Sequence, residues 1–257
     1  KVEVSSNNGS AWQTVTTYDG VLSTWTQQIL DITSYANSSS QLKVRFTLTS
    51  DGFITADGWY VDDIKILNYK PYINSVLSTV NLTAAIEGFL NMKTGSHNIS
   101  DTATLFLRNI NSPYNLVDSS KSVIDSATLT GNFPFYNTAT GVYYYEIRHR
   151  NSIETWSKSG GEAFTFGGTQ SYDFTLNSSR AFGNNLILKG TKYCIYSGDI
   201  DQDGFIDASD LSIEENDVSN SSSGYIPSDV NGDYFADAGD LSIVENNVSA
   251  NINKIVP

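Results

Sequence analysis

The sequence predicts a mainly β chain that ends in a small helical module. Three observations support this fold class. Apolar and polar residues alternate in period two through much of residues 1–189, where β-forming Tyr, Thr and Val are frequent. Short apolar runs there are separated by Gly, Asn and Pro turns. One loop–helix pattern then occurs twice, thirty residues apart, between residues 199 and 249.

The composition fits β domains with polar surfaces and sizeable cores. The 257 residues are 39% hydrophobic and 12% aromatic, which allows two or three domains. The one cysteine, Cys194, cannot form an intrachain disulfide. Residues 1–20 lack the hydrophobic core of a signal peptide, so an export signal is expected upstream of Lys1. The sequence has no apolar run long enough to cross a membrane and no Lys/Arg cluster. We therefore expect neither membrane insertion nor nucleic-acid binding.

Residues 1–68 alternate as strands do. A first strand, Val2-Glu-Val4, stops at the turn signal Asn7-Asn8-Gly9. A half-buried strand is predicted over 42–48, and the run Asp57-Gly-Trp-Tyr-Val-Asp-Asp-Ile64 closes the module. This pattern resembles the second half of the jelly-roll domain attached to immune-inhibitor-A-type secreted metallopeptidases, which is related to MAM domains. The resemblance implies that the chain begins inside a domain, so that residues 1–70 alone leave sheet edges unpaired.

Three acidic residues of that closing run, Asp57, Asp62 and Asp63, admit two interpretations. They could form a further cation site, as in many jelly rolls. Alternatively, Asp62 and Asp63 cap backbone groups at the start of a strand, and we favour this second interpretation.

The segment Lys70-Pro71-Tyr72 marks the first boundary, and a second all-β module follows. Its short strands are separated by Gly/Asn turns, which is typical of an immunoglobulin-like or transthyretin-like sandwich. The run from Gly141 to His149 is the strongest predicted strand. Near its end, Arg148, Arg150 and Trp156 could contact a sugar or an acidic peptide. The interpretation we prefer places Trp156 in the core and pairs Arg150 with Glu154 across a turn.

The duplicated pattern has the side-chain chemistry of a cation-binding loop. The first copy reads Asp199-Ile-Asp-Gln-Asp-Gly-Phe-Ile-Asp-Ala-Ser-Asp210, and the second reads Asp229-Val-Asn-Gly-Asp-Tyr-Phe-Ala-Asp-Ala-Gly-Asp240. Side-chain oxygens at loop positions 1, 3, 5, 9 and 12, with a backbone carbonyl at position 7, are what a hard cation with six to eight oxygen ligands requires. Because the copies are in register, an ordinary acidic surface turn explains them poorly. We expect two Ca²⁺ ions, one in each loop.

Each loop ends in Asp where an EF-hand has Glu, and each is followed by a predicted short helix. The pair resembles the type I-like dockerin repeat over about 197–250. Dockerins bind cohesin modules in extracellular enzyme complexes. The resemblance implies two ligand sets, with Phe205 and Phe235 contributing backbone carbonyls. They are Asp199, Asp201, Asp203, Phe205, Asp207 and Asp210 for loop 1, and Asp229, Asn231, Asp233, Phe235, Asp237 and Asp240 for loop 2.

Two departures from the dockerin pattern limit what the resemblance implies. Tyr234 stands where loop 1 has Gly204, at a sharp turn that Gly makes with least strain. Loop 2, which also has Asn231 in place of a carboxylate, should therefore bind its ion more weakly. The residues that help to set cohesin choice are Ala208-Ser209 and Ala238-Gly239, which lack the usual hydroxyl pair. The usual cohesin partner is therefore not implied.

The net negative charge of the chain lies almost entirely in this module. The formal net charge is −13, and residues 197–257 carry ten Asp and three Glu against one Lys, which gives −12. Ion removal should therefore unfold residues 197–250, because small metal modules draw their folding free energy from the ion, and leave the sandwich intact.

The modules are predicted at 1–70, 71–192 and 193–257. Taken together they indicate the non-catalytic C-terminal part of a larger secreted or cell-surface protein, most plausibly bacterial. Its partner would be a cohesin-like or cell-surface protein, or the module would pack intramolecularly on the adjacent sandwich. The alternatives are an accessory region of a secreted hydrolase, such as a peptidase, with its catalytic domain upstream, and a structural subunit of an extracellular layer or filament. No His-Glu-x-x-His helix or Gly-x-Ser-x-Gly elbow supports catalysis.

Overall fold

The computed structural model describes residues 1–20, 24–36, 41–49, 58–66, 77–136 and 138–257. Within these ranges the chain is mainly β, as predicted, with two longer helices near the C terminus. It divides into two compact units, Lys1–Lys70 and Pro71–Pro257. The further division of the second unit at residue 192 stays a prediction.

The first unit contains a three-stranded antiparallel sheet. Its elements are β1 (Val2–Ser5), β2 (Gln13–Thr16), a short helix α1 (Thr33–Ala36) and β3 (Lys43–Phe46). The order is β2-β1-β3, and the valines of the central β1 are buried. The strand predicted over 42–48 is shorter than expected, and Phe46 and Leu48 are exposed rather than half-buried. The physical reason is that the described residues of this unit form no second sheet over that face.

The second unit contains the sandwich and the duplicated loops. Its strands are β4 (Ser78–Thr83), β5 (Ala85–Ile86), β6 (Leu90–Asn91), β7 (Ser96–His97), β8 (Asp101–Asn109), β9 (Leu116–Ile124), β10 (Thr130–Phe135), β11 (Gly141–His149), β12 (Ser152–Trp156), β13 (Glu162–Phe164), β14 (Thr169–Asp173), β15 (Ile187–Lys189) and β16 (Lys192–Ile195). The helices that follow are α2 (Ala208–Ser219) and α3 (Ala238–Ser249). Neither they nor α1 has the length and apolar character needed to span a membrane.

Two larger sheets enclose the core of this unit. One has the order β12-β11-β8-β9 with β13 also on β11, and the other has the order β10-β4-β14. Alternate residues of β4 and β8 are buried, as the period-two pattern requires. Their apolar side chains and those of β10 belong to one core cluster, which includes Val80, Leu82, Leu105, Leu107, Phe133 and Phe135. The predicted strand Gly141–His149 is β11, with the same bounds.

The loop–helix module packs directly on the sandwich. Ile200, Ile206, Val230 and Val244 of the module lie in the same core cluster as the sandwich residues. Gly88 allows a close approach, since a Cβ at that position would lie 2.1 Å from the carbonyl oxygen of Val230. The two parts therefore share a hydrophobic interior rather than being joined by a linker.

Polar contacts hold the start and the end of the module as well. In α3, Asn247 Nδ2 donates to Glu87 Oε2 at 2.7 Å and to the Ser197 carbonyl at 2.8 Å. Near the C terminus, the Asn253 carbonyl accepts from Asn185 Nδ2 at 2.9 Å. Strand β16, which pairs in parallel with β5, runs straight into loop 1.

The basic end of β11 forms two separate ion-pair networks. Arg148 pairs with Glu146 and Glu154, whereas Arg150 pairs with Asp101 at 2.8 Å. The predicted Arg150–Glu154 pair is wrong. The β11–β12 register places Arg148 near Glu154 and leaves Arg150 in the connecting turn. Trp156 is buried at 6% exposure, which confirms its predicted place in the core.

Candidate metal site in the duplicated loops

Both loops wind tightly because they use left-handed backbone at their fourth and sixth positions. In loop 1 these residues are Gln202 (φ 61°) and Gly204 (φ 92°). In loop 2 they are Gly232 (φ 76°) and Tyr234 (φ 72°). The positive φ predicted for Tyr234 is confirmed. Each loop thus has one glycine and one larger residue at these positions.

Each loop is also tied to the segment that follows the opposite helix. Phe205 forms an isolated antiparallel bridge with Asn253, and Phe235 forms the equivalent bridge with Ser223. In loop 1 the two hydrogen bonds run from Ile206 N to the Ile252 carbonyl and from Lys254 N to the Gly204 carbonyl. Neither bond uses the Phe205 carbonyl, which the dockerin pattern assigns to the ion.

Loop 1 brings three of its predicted ligands together. Asp199, Asp201 and Asp203 each offer a carboxylate oxygen, and these oxygens all lie within 4.8 Å of one another. Asp199 is buried, and its Oδ1 has no hydrogen-bond partner. Burial, followed by the charge of Asp210, raises the pKa of Asp199 to about 7. A buried oxygen without a partner is costly, so a cation bound here would relieve both the desolvation and the repulsion.

The other two acidic residues of loop 1 are engaged by the backbone. Asp207 is the N-cap of α2, and its Oδ1 accepts from Ser209 N at 2.8 Å. Asp210 accepts from the backbone N of Ile200 at 2.6 Å and of Asp207 at 2.9 Å. These bonds form a capping box, which explains why the helix begins at Ala208. The structure therefore places Asp210 directly beneath the loop but outside the group of three.

Loop 2 repeats this arrangement with one carboxylate fewer, because Asn231 stands where loop 1 has Asp201. Asp240 accepts from Asn231 N at 2.7 Å and from Asp237 N at 3.1 Å, while Asp237 caps α3. Asp233 Oδ1 accepts from Phe235 N at 3.0 Å. The side-chain Oδ1 of Asn231 is buried and has no hydrogen-bond partner. Burial raises the pKa of Asp240 to about 6.

The first predicted ligand of loop 2 is bound to the sandwich, which sequence reasoning did not foresee. Asp229 is fully buried, and its Oδ2 accepts from Arg150 Nη2 at 3.1 Å. Its Oδ1 accepts from the backbone N of Gly232 and of Asp233, both at 2.9 Å. The available signal was the basic Arg148-His-Arg150-Asn151 turn, but no spacing rule connects it to a loop almost eighty residues away.

A second residue that the sequence analysis did not single out lies in α2. Glu214 is fully buried, and neither of its carboxylate oxygens has a hydrogen-bond partner. Burial, followed by the charge of Asp240, raises its pKa to about 8. The repeat itself contained the signal, since the equivalent position of α3 is the apolar Val244.

The donor set of both loops fits a hard cation. Every predicted side-chain ligand offers an oxygen. Each loop also has a buried oxygen without a hydrogen-bond partner, Asp199 Oδ1 at position 1 of loop 1 and Asn231 Oδ1 at position 3 of loop 2. The carboxylate group of loop 1 could hold a metal ion. In loop 2 the corresponding trio has two carboxylates and one amide. These loops could thus contribute the oxygen ligands of such an ion, with loop 1 the more negatively charged.

The third candidate cation site is only partly within the described residues. Asp57 lies outside them. Asp63 has φ 52°, and its backbone N donates to Asp62 Oδ1 at 2.8 Å. Asp62 thus caps the next backbone N, but residues 58–66 form no strand, so the predicted capping at a strand start is not observed. A site formed with Asp57 stays a prediction.

Comparisons with known proteins locate partial similarities. No family model matches the chain. Bacillopeptidase F of Bacillus subtilis (strain 168) is 38% identical over 53 residues, which are 21% of this chain and 4% of that protein. The chain thus matches a small fraction of the length of this relative.

Two similar solved structures are interface mutants of a type II cohesin–X-dockerin complex from Acetivibrio cellulolyticus. The N-terminal interface mutant has a TM-score of 0.37 at 16% identity, and the C-terminal interface mutant has a TM-score of 0.38 at 13% identity. Each alignment covers 70% of this chain and 96% of the other.

Proposed function

We propose that this chain is a non-catalytic, Ca²⁺-binding attachment region of a secreted protein. Loop 1 would hold its ion through Asp199, Asp201, Asp203 and Asp210, and loop 2 through the equivalent Asp229, Asn231, Asp233 and Asp240. The observation that carries the proposal is the buried side-chain oxygen without a hydrogen-bond partner in each loop. A bound Ca²⁺ ion would be the partner that these buried oxygens lack.

Calorimetric titration of the metal-depleted chain with CaCl₂ tests the ion-binding part. We expect two binding events. Asp199→Ala should abolish the tighter one and leave the other, because the loops have separate ligand sets. Asp125→Ala is a matched control, since Asp125 is an acidic residue of the sandwich that hydrogen-bonds within its own turn. A chain that takes up no Ca²⁺, or an Asp199→Ala variant with both events intact, would contradict the proposal.

The surface proposed for attachment is the exposed side of the helix pair. Residues on the inner side of the pair, such as Glu214 and Val244, are buried, so a partner would contact the outward residues. These include Ser212, Glu215 and Asn216 of α2, and Ser242, Glu245 and Asn246 of α3. Purified type I and type II cohesins are suitable first probes, although Ala208-Ser209 and Ala238-Gly239 do not imply the usual cohesin partner. Binding of a partner at this surface should require Ca²⁺ and be lost in chelator or with Ser242→Arg. If neither cohesin binds, the partner belongs to another class, and the ion-binding part still stands.

A second candidate function is an accessory region of a secreted peptidase. The observation that favours it is the 38% identity with bacillopeptidase F over 53 residues. In that case the chain would stabilise or position a catalytic domain elsewhere in the protein. Expression with and without a linked peptidase domain, followed by half-life measurements of peptidase activity, separates the two functions.

Catalysis by the chain itself is not part of the proposal. Asp101, His149 and Ser152 form a row, with His149 Nε2 3.2 Å from Asp101 Oδ2 and His149 Nδ1 3.1 Å from Ser152 Oγ. All three are at most 5% exposed, so a substrate cannot reach the hydroxyl. Turnover of a peptide or glycan by the purified chain, abolished by Ser152→Ala, would contradict this view.

A further inference from the structure

The first carboxylates of the two loops differ in what lies against them. Asp199 of loop 1 has an unpartnered Oδ1 and takes part in none of the ion pairs that the structure describes. Asp229 of loop 2 is paired with Arg150 of the sandwich at 3.1 Å. A fixed positive charge therefore already lies beside the carboxylate that the second ion would use.

The sandwich itself holds Arg150 in this position. Its side chain is 11% exposed, and Nε donates to Asp101 Oδ2 at 2.8 Å. Nη1 donates to the Ile226 carbonyl, and the guanidinium carbon lies 4.6 Å from the centre of the Tyr225 ring. The Tyr225 hydroxyl in turn donates to Asp101 Oδ1 at 2.6 Å. Residues 225 and 226, which lead into loop 2, are thus bound both to the Arg150 guanidinium and to the Asp101 carboxylate.

The neighbouring residue of the turn, Asn151, extends the contact to both loops. Its Nδ2 donates to the carbonyls of Pro227 at 3.1 Å and of Asp229 at 2.8 Å, before and at the start of loop 2. Its own carbonyl accepts from Gly198 N at 2.7 Å, just before loop 1. The β11–β12 turn is therefore the part of the sandwich on which the duplicated repeat is positioned.

We propose that Arg150 is a built-in counter-ion of loop 2, a positioning residue that keeps Asp229 and residues 225–229 in place without a bound cation and weakens Ca²⁺ binding there. This inference rests on the Ca²⁺ binding proposed above. Ca²⁺ must share Asp229 with the guanidinium, whereas in loop 1 it meets a carboxylate, Asp199, that has no described ion pair and keeps one oxygen without a partner. The second loop then serves to dock the module, and the first responds more strongly to the ion.

Linkage fixes the sign of the effect of removing Arg150. Without an ion, Asp229 would become a buried charge with no cation beside it, which is strongly destabilising. With Ca²⁺ bound, the charge of Asp229 is still neutralised, so the loaded chain loses less stability. Because the variant destabilises the empty state more than the loaded state, its second site must bind Ca²⁺ more tightly.

The experiment compares the full chain with Arg150→Gln and Arg148→Gln. Arg148 is the matched control, because it lies two residues earlier and pairs with Glu146 and Glu154 of the sandwich rather than with loop 2. Calorimetric titration with CaCl₂ should show the second site of Arg150→Gln at least about fivefold tighter, the lower end of typical coupling between sites. Thermal unfolding should show a larger Ca²⁺-dependent rise than in the other two proteins. Arg150→Lys, which keeps the charge, should behave more like the unmodified chain.

Each outcome decides the proposal. If the second site of Arg150→Gln binds Ca²⁺ as tightly as before or more weakly, the proposal is overturned. Equal losses of stability in chelator and in excess Ca²⁺ also overturn it, since Arg150 would then have a purely structural role. A variant that folds only with Ca²⁺ supports it, and one that folds under neither condition overturns it. If the unmodified chain takes up no Ca²⁺ at all, the proposed function fails instead.

Discussion

The two residues at left-handed positions that are not glycine have different effects on the loops. Gln202 of loop 1 uses its side chain, since Nε2 donates to the Asp199 carbonyl at 2.5 Å and approaches the Ser152 carbonyl at 3.4 Å. Tyr234 of loop 2 is 49% exposed. We predicted that turn strain weakens Ca²⁺ binding in loop 2 but not in loop 1. That prediction is incomplete, because loop 1 also has a non-glycine residue in the left-handed region. Charge, through Asn231 and Arg150, is the stronger reason to expect weaker Ca²⁺ binding in loop 2.

Replacing these residues by glycine should separate strain from useful contact. Tyr234→Gly removes about 1–2 kcal/mol of strain that the left-handed backbone imposes on the folded state. Glycine also raises the conformational entropy of the unfolded chain, which offsets part of this effect. The free energy of unfolding should therefore rise by about 0.5–1 kcal/mol. Gln202→Gly should give no gain, because it also loses the side-chain bonds to the loop and the sandwich. Urea unfolding in chelator measures both. Equal gains would show that the Gln202 bonds contribute nothing.

Glu214 is the position at which the two helices differ most in chemistry. Its pKa of about 8 lies above the ordinary value near 4.5, so the folded chain keeps a proton that the unfolded chain has released. Folding takes up a proton between these values, and the free energy of unfolding should therefore fall as pH rises from about 4.5 to about 8.

Glu214→Leu gives α2 an apolar residue at the position where α3 has Val244. It should remove the dependence of the free energy of unfolding on pH. We expect its gain in stability to be larger at pH 8 than at pH 5, measured by thermal unfolding in metal-depleted buffer. Glu214→Gln, which keeps the shape and cannot ionise, is the matched control for size. A gain that does not change with pH would mean that Glu214 is not the group responsible.

The close contact between the sandwich and loop 2 can be tested at Gly88. Its backbone does not need positive φ, so Ala differs only by a methyl group, which would lie 2.1 Å from the Val230 carbonyl oxygen. Gly88→Ala should push loop 2 from the sandwich and cost about 1–3 kcal/mol, as overpacking does. Denaturant unfolding measures the cost, and a variant as stable as the unmodified chain would show that the contact is easily relaxed.

Structural elements that are determined by residues within their own segment could be predicted from the sequence. The starts of α2 and α3 follow from the Asp207 and Asp237 caps, and β11 follows from an apolar and aromatic run between turn residues. The spacing of the loops also placed Asp199, Asp201 and Asp203 together. What could not be predicted depends on contacts between distant residues, such as Arg150 with Asp229 and Asn247 with Glu87. No pattern within either segment identifies the partner.

The shared core of the second unit changes the expectation for ion removal. The sequence predicted that residues 197–250 unfold alone, but Val230 and Val244 lie in the same cluster as the sandwich core. Exposing them would also uncover sandwich residues. In chelator we therefore expect the helices and the sandwich to unfold in one transition at a lower temperature.

Two probes can follow the two parts separately. Trp156 fluorescence reports on the sandwich if the tryptophans of the first unit are replaced by Phe, and far-UV circular dichroism reports on the helices. Coincident midpoints would support a single cooperative unit. Loss of helical signal while Trp156 stays buried would restore the original expectation.

The direct passage from β16 into loop 1 has a mechanical consequence. A module on a flexible linker turns freely, and a pull on its partner first stretches the linker. Here a pull on α3 would pass at once through Asn247 to Glu87 and the Ser197 carbonyl, and through the β16–β5 ladder into the sandwich. A partner holding the helices would thus fix the orientation of the sandwich as well.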